Sequence, residues 1–233
     1  MHDNSFLART LHRRSFFRVA GAGAAASALV LAGCAKEDTI TPVPTNQQLV
    51  IGKADSVNFT VLNYAYLLEQ LEAAFYDKVV TTPPADLLPG ELAYLTDLRD
   101  HEFIHREYLK FALGSNAYDA SFVTQFVFDF SSLTLTTRQG VWTAAQKLED
   151  IGVAAYNGVA KHITTTGYLN MLAKLASVEA RHAALAHEVL QAGSWAAPIG
   201  ATGLDAAKTP IEVVALIQPF VPIEISTAYL PTT

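Results

Sequence analysis

The chain of 233 residues carries 16 Lys and Arg against 22 Asp and Glu, a net charge of −6, and a single cysteine, Cys34. An acidic balance disfavours nucleic acid and anionic membrane as partners, since both would have to be approached without compensating cations. One thiol excludes an intramolecular disulfide and a cysteine-rich metal site.

Residues 1–33 read as a targeting segment, to be set aside before any reasoning about the fold. The stretch "RRSFFRVAG", with the pair Arg13-Arg14, looks like a twin-arginine export signal. The apolar run "VAGAGAAASALVLAG" that overlaps it has 15 residues, short of the roughly 20 that span a bilayer. It ends in Leu31-Ala32-Gly33-Cys34, which resembles a lipobox with cleavage before Cys34 and a lipid on its sulfur. The alternatives are an ordinary cleaved signal and an uncleaved anchor. Removing 1–33 takes away four Arg and one Asp, leaving 12 basic and 21 acidic residues and a net charge of −9. Membrane association is therefore expected from lipid and not from charge. The expected location is the cell envelope, on its periplasmic or outer-surface face. Twin-arginine export carries folded cargo, so a metal can be loaded before export. Residues 34–55, which include "KEDTITPVPTNQQ", are polar and Pro-containing at first and read as a tether.

Four stretches then carry helical periodicity. The first runs over 56–79, with Asp55 or Ser56 as cap. The second, 91–113, is entered through Pro89-Gly90 and closed by Gly114; the third, 137–163, opens at Thr136 or Thr137; the fourth, 167–192, is closed by Gly193. The first connection has 11 residues and the third only three or four, while 23 residues rich in aromatics separate the second and third helices. This is the plan of an all-α four-helix bundle, 56–193, with one long crossover between helices 2 and 3. The tail, 194–233, is rich in Pro and Gly and holds one short helix, "TPIEVVALIQPF", expected to pack on the bundle.

The seams of these helices contain residues that do not belong in an apolar core. Steps of three and four residues give Leu62, Ala65, Glu69, Glu72 and Tyr76 in helix 1, and Leu95, Leu98, Glu102, His105 and Leu109 in helix 2. They give Ala145, Glu149, Gly152 and Tyr156 in helix 3, and Leu172, Leu175, Glu179, His182 and Ala186 in helix 4. These positions share one face of each helix. Burying several carboxylates together requires either protons or cations, and no Lys or Arg lies on the seams. Two divalent ions would neutralise Glu69, Glu102, Glu149 and Glu179, with one neutral imidazole for each ion. The pattern also repeats: Glu102-x-x-His105 recurs 77 residues later as Glu179-x-x-His182, and Glu69 with Tyr76 recurs 80 residues later as Glu149 with Tyr156. Two helix pairs with approximate two-fold symmetry follow.

The stretches "LLEQLEAAFY", "HEFIHREYL", "LEDIGVAAYNG" and "ASVEARHAAL" resemble the ferritin-like superfamily, and more closely bacterial ferritin-like domain proteins related to plant desiccation-related proteins. The resemblance covers roughly 56–192. It implies Glu69, Glu102, His105, Glu149, Glu179 and His182 as ligands of two metal ions, iron or alternatively manganese. It implies Tyr76 and Tyr156 as hydrogen-bond partners of ligand carboxylates on neighbouring helices. Glu72 lies on the same face as Glu69 and reads either as a bridging or mobile seventh ligand or as a buried neighbour; its counterpart in helix 3 is Gly152.

"HEFIH" also matches the H-E-x-x-H of zinc proteases. That reading needs His101 inside, which rotates Glu102 off the seam, and it leaves the other three helices unexplained. His101 is one step off the seam and is expected beside a ligand or facing solvent. His162 and His187 carry no spacing argument and are expected at the surface. Two functions fit the ligands: an exported di-iron or di-manganese oxidoreductase acting on O2 or peroxide, in the manner of a ferroxidase, peroxidase or catalase, and a non-catalytic metal-binding stress protein. A homo-oligomer is compatible with either.

Overall fold

The computed structural model describes residues 48–52, 55–118, 127–196 and 202–232. The targeting segment, Cys34 and the first part of the tether lie outside the described residues.

Four long helices dominate. α1 spans Val57–Thr81, α2 Glu91–Leu113, α3 Arg138–Val159 and α4 Thr166–Leu190. Ser56 starts α1, its Oγ accepting the Phe59 N–H at 3.3 Å. Thr137 starts α3 in the same way, accepting from Gly140 at 3.1 Å. Each hydroxyl satisfies an amide that the first helical turn leaves without a partner. Gly90 and Gly114 bracket α2, both at positive φ, where a side chain would be strained. α3 passes at Val159 into a single 3-10 turn, Ala160–His162, so the periodicity read to 163 covers two kinds of helix. α4 stops at Leu190, with Gln191 extended, and Gly193 supplies the turn at φ 84°.

α2 packs on α1 and α4 on α3, while α1 touches α3 across the bundle. α2 buries Glu91, Leu95, Leu98, Glu102, His105, Leu109 and Leu113, a single stripe at steps of three and four. α1 is different: Thr60 through Ala73 are all buried. It is covered on its outer side as well. Asn63 anchors the start of the crossover, its Nδ2–H donating to the Asn116 carbonyl at 2.9 Å while its Oδ1 accepts the Tyr118 amide at 2.7 Å. Further along, Phe130 meets Phe75 edge-on with ring centres 5.8 Å apart.

The tail closes the structure. α5, Pro210–Ile217, begins with a capping box between Thr209 and Glu212 and packs on α3. The amide of Asp129 in the crossover donates to the Phe220 carbonyl at 2.8 Å. Two three-residue strands, β1 Gln48–Val50 and β2 Glu224–Ser226, pair in parallel with Leu49 opposite Ile225, both buried. This corrects the extent of the expected tether: 48–52 belong to the folded part, because Leu49 and Ile51 enter the core. Among the described residues, no helix is long and apolar enough to cross a membrane.

Candidate metal centre

The middle of the bundle brings together side chains from all four long helices. Glu69 and Glu72 come from α1, Glu102 and His105 from α2, Glu149 from α3, and Glu179 and His182 from α4. Spacing by three places Glu and His of each E-x-x-H pair one turn apart on the same inward face. Glu69, Glu102, Glu149 and Glu179 are fully buried, and Glu72 retains 2% exposure. His105 and His182 are 6% and 4% exposed, so the histidine side of the cluster is the side nearer solvent.

The six sequence-predicted ligands form two overlapping groups, Glu69–Glu102–His105–Glu179 and Glu102–Glu149–Glu179–His182, with the ligating atoms of each group within 4.8 Å of one another. Glu102 and Glu179 belong to both groups. Each end adds one Glu and one His, in accord with the approximate two-fold repeat.

His105 Nδ1 lies 3.3 Å from Glu69 Oε2, 3.2 Å from Glu102 Oε2 and 2.9 Å from Glu179 Oε1. His182 Nδ1 lies 2.8 Å from Glu102 Oε1, 3.6 Å from Glu149 Oε2 and 3.9 Å from Glu179 Oε2. Most of these close approaches are not hydrogen bonds. Glu69 Oε2, Glu102 Oε1, Glu149 Oε2, both oxygens of Glu179 and His182 Nδ1 are buried without a hydrogen-bond partner. Donor atoms that surround one ion at about 2.1 Å sit about 3.0–3.4 Å from each other, the edge of an octahedron or tetrahedron. The observed spacings cluster around that edge, and most of these atoms converge without a hydrogen-bond partner. Buried polar atoms left this way are costly, so the residues present fit a pair of cations.

The electrostatics agree. Burial pushes the Glu69 carboxyl up to about 8, against the opposing pull of His105. Burial raises Glu72, Glu149 and Glu179 too, reinforced for Glu72 and Glu179 chiefly by neighbouring carboxylates. Glu102 goes the other way: against the upward push of burial, the close approach and charge of His105 and His182 hold it below the usual carboxylate range. His182 resists its own burial, since Glu149 and Glu102 hold its imidazole up to about 11. Without metal, protons neutralise the cluster.

Two tyrosines fix the outer oxygens reciprocally. Tyr76 of α1 donates to Glu149 Oε1 of α3 at 2.5 Å, and Tyr156 of α3 donates to Glu69 Oε1 of α1. Each bond leaves the other carboxylate oxygen turned inward. Glu72 stands outside both four-residue groups. Its Oε1 lies 2.9 Å from where a Cβ on Gly152 would sit, and Glu179 Oε2 3.5 Å from the same point. The space that the two-fold repeat leaves empty at Gly152 is filled by the Glu72 carboxylate, a complementarity the sequence pairing hinted at but did not reveal.

His101 is exposed on the rim, its Nδ1 2.9 Å from His182 Nε2. It joins neither four-residue group, so the protease arrangement, with His101 and His105 on one ion, is not assembled among the described residues. His187 corrects an expectation. It is 7% exposed, with Nε2 2.9 Å from Asp150 Oδ1 and Nδ1 2.9 Å from the Gln146 amide nitrogen. Its position on α4 turns it toward α3, and that cross-helix pair leaves no periodic trace in the sequence. His162 is half-buried.

A family model described as a ferritin-like domain matches residues 58–192, the greater part of the chain. No curated protein matches it.

Proposed function

The chain belongs to the ferritin-like domain family, and on that premise we propose that it is a di-metal carboxylate protein, with iron the favoured metal and manganese the alternative. The observation that carries this reading is the pair of overlapping four-residue groups, most of whose buried donor atoms converge without a hydrogen-bond partner. Carboxylate oxygens and imidazoles without sulfur suit iron or manganese. Glu69 and His105 would hold one ion and Glu149 and His182 the other, with Glu102 and Glu179 available to both. Such a pair of ions supplies redox chemistry toward O2 or peroxide. The protein's part is to keep water out with a fully buried carboxylate set and to fix the outer oxygens through Tyr76 and Tyr156. Glu72, outside both groups, would add a fifth carboxylate beside Glu179 as a bridging or mobile seventh ligand.

Anaerobic titration with Fe(II), read by metal analysis, tests the site. Wild-type protein is expected to take up two ions. Glu102→Ala removes a residue common to both groups and is expected to lose at least half of the metal; His182→Ala is expected to lose about half. Full occupancy in both variants overturns the site. Admitting air or peroxide then separates the two functions: repeated oxidation of added Fe(II) marks an oxidoreductase, and binding without turnover marks a sequestering stress protein. We also propose, from the order of twin arginines, apolar run and lipobox alone, that the protein is exported and lipid-anchored to the envelope through Cys34. Cell fractionation tests this, since Cys34→Ala is expected to move the protein out of the membrane fraction.

A further inference from the structure

We infer that His101 is a positioning residue for the metal centre: from the exposed rim of α2 it accepts a hydrogen bond from the outer nitrogen of His182 on α4, and so keeps His182 Nδ1 aimed at the carboxylates. This rests on the di-metal reading and adds to it a residue outside the six ligands. The two ring nitrogens of His182 face different worlds. Nδ1 lies 2.8 Å from Glu102 Oε1 inside the cluster, and Nε2 lies 2.9 Å from His101 Nδ1 toward solvent. A neutral imidazole that gives its Nδ1 lone pair to a cation must carry its proton on Nε2. His182 Nε2–H is then the donor, and His101 Nδ1 the acceptor.

The ring geometry suits that bond. The two planes are inclined by only 18° and the ring centres are 5.2 Å apart. An imidazole nitrogen lies about 1.2 Å from its ring centre, so an in-plane N–H···N bond of this length separates centres by about 5 Å. The rings are therefore joined edge to edge and are not stacked face on. His101 reaches this place because it precedes Glu102, and one residue back along a helix turns the side chain about 100°, off the seam and toward α4. The arrangement breaks the two-fold symmetry of the site. Among the described residues His105 has no such partner on its outer nitrogen, so the effect belongs to the ion held by His182.

Two variants separate a positioning role from simple packing. His101→Phe keeps a ring and removes the acceptor; His101→Asn places a carbonyl oxygen near the position of Nδ1. Anaerobic titration of the full chain with Co(II), read by visible absorption, is expected to show one of two ions bound roughly 10- to 100-fold more weakly in His101→Phe. His101→Asn is expected to stay within a few-fold of wild type. Wild-type affinity for both ions in His101→Phe, or equal weakness in His101→Asn, overturns the inference. A second readout needs no metal. The His182 Nε2–H proton is expected as a slowly exchanging resonance in wild type and His101→Asn, and to be lost in His101→Phe; its survival there overturns the hydrogen bond. A wild-type chain that binds no pair of ions overturns the di-metal reading instead, and the proton resonance still decides for or against the bond.

Discussion

Glu69, held up to about 8 by burial, and His182, held up to about 11 as Glu149 and Glu102 outweigh its burial, both carry protons in the metal-free protein at pH 7. A cation entering the cluster must displace them. The sign follows directly: acid strengthens the competitor, so metal affinity falls as pH drops and rises as pH passes 8. Loading in weakly buffered solution at pH 7 is expected to release protons, measurable with an indicator dye. The number released per protein should fall by about one at pH 9, where Glu69 has lost its proton already. Loading with no proton release would contradict this electrostatic picture. These same residues were the ones most legible in the sequence. A carboxylate on an apolar seam is an anomaly that periodicity exposes, and Glu69, Glu102, Glu149 and Glu179 all announced themselves in this way. His187 did not, because its partners Asp150 and Gln146 lie on another helix and no spacing within α4 points to them. For His101, spacing gives a place beside a ligand or facing solvent; which ligand it meets, His182, depends on how α2 and α4 face each other.

Between elements, the closest approaches are made where a side chain is missing. The tail crosses α3 at Gly158: a Cβ there would fall 1.7 Å from the Lys208 carbonyl oxygen and 2.7 Å from its carbon. The Lys208 amide donates to the Ala154 carbonyl at 3.0 Å, and the Asn157 side chain donates to the Ala206 carbonyl at 3.1 Å. This backbone cannot rotate aside as a side chain could. In an open helix Gly→Ala stabilises by about 1 kcal/mol. Here the clash outweighs that gain, and Gly158→Ala is expected to destabilise the fold by about 2 kcal/mol, read as a lower denaturant midpoint. A midpoint at or above that of wild type would show that the tail does not lie on α3 as described. The helices themselves were readable from caps and periodicity: Ser56, Thr137 and Gly114 mark boundaries that the structure reproduces within a residue or two. The β1–β2 ribbon was not. Three-residue strands are too short for an alternating pattern to emerge, and a parallel pair whose strands are 176 positions apart in register, Gln48 with Glu224, has no local turn to signal it.

For the whole molecule, the bundle is a core interrupted at its centre. α1 is buried on nearly every side and the apolar cluster runs from Leu49 to Leu230, yet five carboxylates and two histidines occupy the middle. The bundle plan could be read from four periodic stretches and one long crossover. The way the crossover covers α1 and the tail packs on α3 could not, since it depends on contacts far apart in sequence. Such a core folds at a disadvantage unless its charges are balanced, because desolvating them opposes the gain from the surrounding apolar burial. An ion that binds only the folded chain adds stability by mass action, about 4 kcal/mol at a thousandfold excess over its dissociation constant. For a domain of this size each kcal/mol moves the midpoint by about 2–4 °C, so saturating Fe(II) or Mn(II) is expected to raise Tm by about 10 °C over chelator-treated protein. Glu102→Ala should abolish most of this shift, since Glu102 belongs to both groups. The same substitution also removes a buried carboxylate whose charge His105 and His182 must otherwise neutralise. Scanning calorimetry of wild type and variant, each with metal and with chelator, isolates the metal-dependent difference from the cost of the substitution. A wild-type Tm that chelator and metal leave unchanged would mean that the cluster is balanced by protons alone.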